Sequence, residues 1–130
     1  MVFTDVPEDV EEEFNRWYDE EHIPERLSIP GVLSAARYTA LEGGPKHLAC
    51  YELESPAVIE TDAFKNRQPT ERSLRAGPRG VGTNLISNVY EMIYPAELTD
   101  EIANSDMAPA LQIGRMSIAS ENEAEWNRWY

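Results

Sequence analysis

His22 is the side chain whose type and setting best suit proton transfer. It ends an apolar-periodic helical stretch just ahead of Pro24. An imidazole at a helix C-terminus beside a pocket exchanges protons near neutral pH. At about 100° per residue it falls at the edge of the helix's apolar face, so a cap on the helix end, bonded to a backbone carbonyl, is the competing role. Glu21 is the second catalytic candidate. It falls near the centre of that face, beside Phe14, Trp17 and Tyr18, where a carboxylate needs a partner or a raised pKa. That suits a general base, and equally an ion pair with an arginine such as Arg37.

Around these two, Tyr38, Tyr51, Asn84, Asn88 and Tyr90 fall on expected strands. Aromatic walls with a few amides suit a planar, mostly apolar substrate; the same residues also suit a packed subunit interface. Trp17 and Tyr18 are read as core anchors or as ligand contacts. His47 opens a strand and has no ligating neighbour at useful spacing, and Cys50 sits between Ala49 and Tyr51 as a core thiol. The histidines lack zinc or haem spacing. A phosphate loop and a nucleophile elbow are absent from the sequence, and Gly77-Pro78-Arg79-Gly80 reads as a turn. No metal and no cofactor are expected.

The elements that position these residues follow from periodicity. Residues 2–6 read as a strand closed by Pro7, and Pro7-Glu8-Asp9 as a helix start with acids at its positive end. Val10, Phe14, Trp17, Tyr18 and Glu21 keep one helical face until Pro24, which ends or kinks the helix. After the Pro30-Gly31 turn, residues 32–41 and 47–53 form two strands joined by a Gly-rich loop. Residues 57–64 are helical, helix resumes around 70–76, and residues 83–94 are the last strand. The order βαββαβ is the ferredoxin-like arrangement, an α+β fold with an antiparallel sheet and two helices on one face. An apolar face left open on such a sheet invites sheet-to-sheet pairing into a dimeric α/β-barrel.

The chain also repeats itself. Glu13-Phe14-Asn15-Arg16-Trp17-Tyr18 recurs as Glu125-Trp126-Asn127-Arg128-Trp129-Tyr130, each copy preceded by an acidic segment and an apolar run. The expected organisation is a ferredoxin-like domain over residues 1–95, a linker over 96–109, and over 110–130 the strand and helix that begin a second copy. That pattern fits a piece of a tandem protein, or a last strand and helix that pack on a neighbour.

Composition narrows the functional classes. The 130 residues carry a net charge of −13, and 42% are hydrophobic. Such an acidic surface repels phosphate backbones and anionic membranes. No apolar run approaches the roughly 18 residues needed to span a bilayer, and residues 1–13 do not read as a signal peptide. With one cysteine, the expected compartment is the cytoplasm.

The string Asn15-Arg16-Trp17-Tyr18-Asp19-Glu20-Glu21-His22-Ile23-Pro24-Glu25-Arg26-Leu27, followed by Pro30-Gly31 and Ala36-Arg37-Tyr38, resembles the EthD-like family of dimeric α/β-barrel proteins. The resemblance covers about residues 2–94. It implies a ferredoxin-like protomer and a barrel closed by two sheets, in a homodimer or within a tandem chain. Relatives in the superfamily include cofactor-free monooxygenases, lactone isomerases, polyketide lyases and haem-degrading enzymes, so fold analogy does not select a reaction. The resemblance also favours His22 as the acid/base, because it matches the family motif. Two readings result: a cofactor-independent lyase, isomerase or oxygenase acting on a small hydrophobic or aromatic molecule, and a non-catalytic binding or assembly module. Haem handling is a weaker third.

Overall fold

A computed structural model describes residues 1–94 and 99–129. Strand β1 (Val2–Asp5) leads into helix α1 (Glu8–Trp17), a π-helical turn (Tyr18–His22) and helix α2 (Ile23–Leu27). Strands β2 (Val32–Thr39) and β3 (His47–Leu53) form the hairpin. A 3₁₀ turn (Pro56–Glu60) and short helices α3 (Asp62–Lys65), α4 (Glu71–Ala76) and α5 (Pro78–Val81) precede strand β4 (Thr83–Ser87). Helix α6 (Asp100–Ala103), a 3₁₀ turn (Ser120–Asn122) and helix α7 (Glu123–Trp129) follow.

The sheet runs β2-β3-β1-β4, antiparallel throughout. This α+β architecture is compatible with a ferredoxin-like fold. Strand alternation sorts the core into two layers. Val2, Ala49 and Tyr51 face Phe14, Trp17, Tyr18 and Ala76 of the helical layer. Phe3, Leu48 and Cys50 point the other way, with Tyr38 and Ile86. A third cluster, Ile29, Val32 and Val58, closes the start of the hairpin. There Gly31 holds φ +86°, and a Cβ would stand 2.6 Å from Val58 Cγ2, so only glycine fits that turn.

Several expectations change. The first helix neither ends nor breaks at Pro24: it passes through the π turn, and Pro24 falls in the first turn of α2, where a missing N–H is tolerated. Residues 77–80 are no plain turn, because Pro78 opens α5. Strand β4 stops at Ser87 rather than Tyr94. Its partner is β1, with Val2 opposite Ser87 and the Asn88 N–H donating to the Met1 carbonyl.

The outer sheet face is also not bare. Residues 107–116 lie over it as a strap: Met107 packs on the Phe3, Leu48 and Cys50 cluster, the Tyr38 hydroxyl donates to the Ala108 carbonyl at 2.9 Å, and the Arg115 guanidinium lies 5.6 Å from the Phe3 ring. The apolar run at 111–118 therefore forms no strand, while the expected helix after it does form as α7.

Candidate functional site

The π turn decides which side chains meet. Ile23 donates its N–H to the Tyr18 carbonyl, five residues back. This wider turn delays everything after it relative to an α-helix. His22 is thereby brought inward and Glu21 outward, the reverse of the expected order. The His22 ring stacks on Trp17 with centroids 4.4 Å apart, and meets the edges of Tyr18 at 5.1 Å and Tyr51 at 6.2 Å. Tyr18 in turn sets its ring 5.0 Å from Phe14.

His22 is not a helix cap on a backbone carbonyl, and it does not titrate near neutrality. Burial, then the positive charges of Arg26 and Arg67, lower its pKa to about 3. It is a neutral imidazole at physiological pH, with one ring N–H to donate in a hydrogen bond and one ring nitrogen to accept, and at so low a pKa it is a weak base. Its Nδ1 lies 3.8 Å from Glu25 Oε2, beyond hydrogen-bond range. Glu25 is instead engaged by Arg67 at 3.0 Å, and Arg67 also donates to Ser28 Oγ. Glu21 accepts a hydrogen bond from Thr70 Oγ1, the residue that caps α4. It is not paired with Arg37, whose guanidinium binds Asp19 at 3.0 Å and Asn15 Oδ1 at 2.5 Å while lying 4.5 Å over the Tyr18 ring.

Beside the imidazole, Trp17 Nε1 is buried without a hydrogen bond among the described residues, while the Tyr51 hydroxyl is directed at that of Tyr18. Burial raises both tyrosines, Tyr18 to about 12 and Tyr51 further, so both hydroxyls keep their protons. Arg26 completes the surroundings. It packs 5.0 Å over Phe64 and makes no ion pair among the described residues; its charge is felt at His22, Tyr18 and Tyr51. Arg26 was not legible as a site residue, although it lies only four positions beyond His22.

The other expected ligand contacts lie elsewhere. Tyr38 is on the opposite sheet face under the strap, because Tyr38 pairs with Leu48 and Tyr51 with Ala35. Asn84 sits at a bulge with φ +52° and donates to Asp5 Oδ2. Asn88 donates to the Tyr90 hydroxyl at 2.9 Å, past the end of β4. Trp17, Tyr18, His22 and Tyr51 thus form one group, and Tyr38, Asn88 and Tyr90 belong to the strap side. Two open depressions among the described residues lie along α7 and between residues 88–90 and 114–116, and neither is lined by His22.

His47 is buried against Phe14, its Nε2 3.3 Å from Glu11 Oε1 without hydrogen-bond alignment. No group of three potential metal ligands occurs among the described residues, and no helix among them is long and apolar enough to cross a membrane. Comparison with known proteins gives no family model, no curated protein and no solved structure that matches the chain.

Proposed function

We propose that the chain is an EthD-like, small-molecule-binding protein that converts a hydrophobic or aromatic substrate without a cofactor, with the group around His22 as its site. One observation carries this reading. Trp17 Nε1 is a buried donor with nothing to donate to among the described residues, on the ring that stacks against a neutral imidazole. An unmet buried donor costs about 1–3 kcal/mol, and natural proteins hold few of them outside functional sites. A substrate carbonyl entering here would meet the Trp17 N–H as a donor, with the Tyr18 and Tyr51 hydroxyls beside it, and the Arg26 charge would steady negative charge developing on its oxygen. His22, whose pKa burial and two arginines hold at about 3, would orient the substrate as a neutral hydrogen-bonding ring rather than carry off its proton.

The test is a thermal-shift panel of aromatic alcohols, ketones and lactones on the full chain and on Tyr51→Phe. Removing the Tyr51 hydroxyl keeps its ring beside His22, and should abolish the ligand-induced shift while circular dichroism shows the fold retained. A Tyr51→Phe protein that keeps every shift removes the reading.

The second reading, a binding or assembly module, draws on a different observation. Neither depression reaches His22, and Val89, Tyr90, Met92, Ile93 and Tyr94 follow β4 with half or more of their surface exposed. This apolar run is what supports a homodimer. Analytical ultracentrifugation tests it: a monomer at all concentrations removes the dimer, and charged substitutions at Ile93 and Tyr94 should dissociate one.

A further inference from the structure

The depression between residues 88–90 and 114–116 lies on the opposite side of the sheet from His22. It is an open, mostly polar depression of about 380 Å³, large enough for a small ligand. Arg115 lines it, with its guanidinium near the Phe3 ring and no hydrogen bond or ion pair among the described residues. In a chain of net charge −13, no other lysine or arginine lies between Arg79 and Arg128. With 24 acidic residues in the chain, a guanidinium that lies by the Phe3 ring and pairs with none of the described carboxylates is available to an anion from outside.

The neighbours define that anion further. The Tyr90 hydroxyl already accepts from Asn88 Nδ2, so its own proton is available to donate outward. Asn88 is anchored by reciprocal backbone bonds to Met1 at 2.9 and 2.8 Å, which fixes the donor chain. Two donor groups, Arg115 and Tyr90, thus face one space. Val89, Tyr90 and Met116, each more than half exposed, supply apolar surface around it.

We propose that this seam binds a small aromatic carboxylate: the carboxylate is held by the fork of Arg115 and the Tyr90 hydroxyl, and the ring lies on Val89 and Met116. A guanidinium matches the two oxygens of a carboxylate side by side, and contact with the exposed Val89 and Met116 side chains favours an anion that carries a ring.

Isothermal titration of the full chain with benzoate, inorganic phosphate and benzyl alcohol tests this. Benzoate should bind with a Kd of about millimolar, and phosphate and benzyl alcohol roughly tenfold more weakly. Arg115→Gln should weaken benzoate at least about tenfold, Arg115→Lys less, and Tyr90→Phe several-fold. Arg128→Gln, which removes a charge elsewhere, should leave it unchanged. Circular dichroism confirms that each variant is folded. The proposal is overturned by benzoate that does not bind, by phosphate that binds as tightly as benzoate, or by a folded Arg115→Gln protein that binds benzoate like the parent.

Discussion

His22 stacks on Trp17 five residues before it, with the ring planes 24° from parallel. In an α-helix, residues five apart point about 140° away from each other, so this pair exists only because residues Tyr18–His22 are π-helical. Such turns are rare and concentrate at functional positions. Here the turn exchanges the inward residue: Glu21 leaves the apolar face and His22 takes its place.

Acid should destabilise the protein through His22. Its folded pKa, about 3, lies below the ordinary 6.5, so between those values the unfolded chain binds more protons and stability falls as pH falls. Above about 6.5 the group contributes no pH dependence. Urea unfolding from pH 7 to pH 4 should give a shallower slope for His22→Phe, which keeps a ring on Trp17 and cannot titrate. The difference is expected to reach a few kcal/mol, of the order that such a shift implies. Equal slopes would falsify the burial of a neutral imidazole.

Gly77→Ala should destabilise by roughly 1–3 kcal/mol. A Cβ there would stand 2.5 Å from the Ser73 carbonyl oxygen and 3.1 Å from Trp17 Cη2. Ser73 O is backbone and Trp17 is pinned by His22, so neither yields cheaply. Chemical denaturation reads the loss, and a changed emission of Trp17 should accompany it.

Cys50 should react slowly with thiol reagents until the strap moves. The thiol is 2% exposed, burial raises its pKa, and Met107 packs on its cluster. Combining Met107→Ala with Tyr38→Phe removes a packing contact and the bond to Ala108, which together hold the strap by about 2–4 kcal/mol. The labelling rate should rise at least about tenfold, since 1.4 kcal/mol is already a factor of ten. An unchanged rate would mean that other contacts hold the strap closed.

Arg37→Lys should cost about 1–2 kcal/mol despite conserving charge. The guanidinium binds Asp19 and Asn15 Oδ1 and covers Tyr18 at the same time. A lysine ammonium is too compact for all three. Thermal melts of Arg37→Lys and Arg37→Met should lie close together; a lysine variant as stable as the parent would show that charge alone matters.

The hairpin, the first strand and the amphipathic run through Phe14, Trp17 and Tyr18 were legible because each depends on local period and turn residues. The end of β4 was not. Residues 88–94 still alternate, but a strand needs a neighbour, and pairing with β1 covers only Thr83 to Ser87, with one further bond from Asn88. The inward turn of His22 was hidden because apolar spacing reads the same until the extra residue of the π turn is placed. The separation of Tyr38 from Tyr51 follows from the β2–β3 register, which neither strand's sequence reveals by itself. Arg26 and Arg115 were missed because an arginine acquires a role from what leaves it unpaired, which only packing discloses.

The bond between Tyr38 and Ala108 joins residues 70 positions apart, and its consequence lies in how the chain is made. During synthesis from the N-terminus the sheet can assemble once β4 has emerged, while its Phe3, Leu48 and Cys50 face waits for residues 107–116. A truncation after residue 94 would hold the protein permanently at that stage, with a sticky surface in place of a finished one. The segment that reads as a linker therefore carries at Met107 and Ala108 two of the contacts that cover this face.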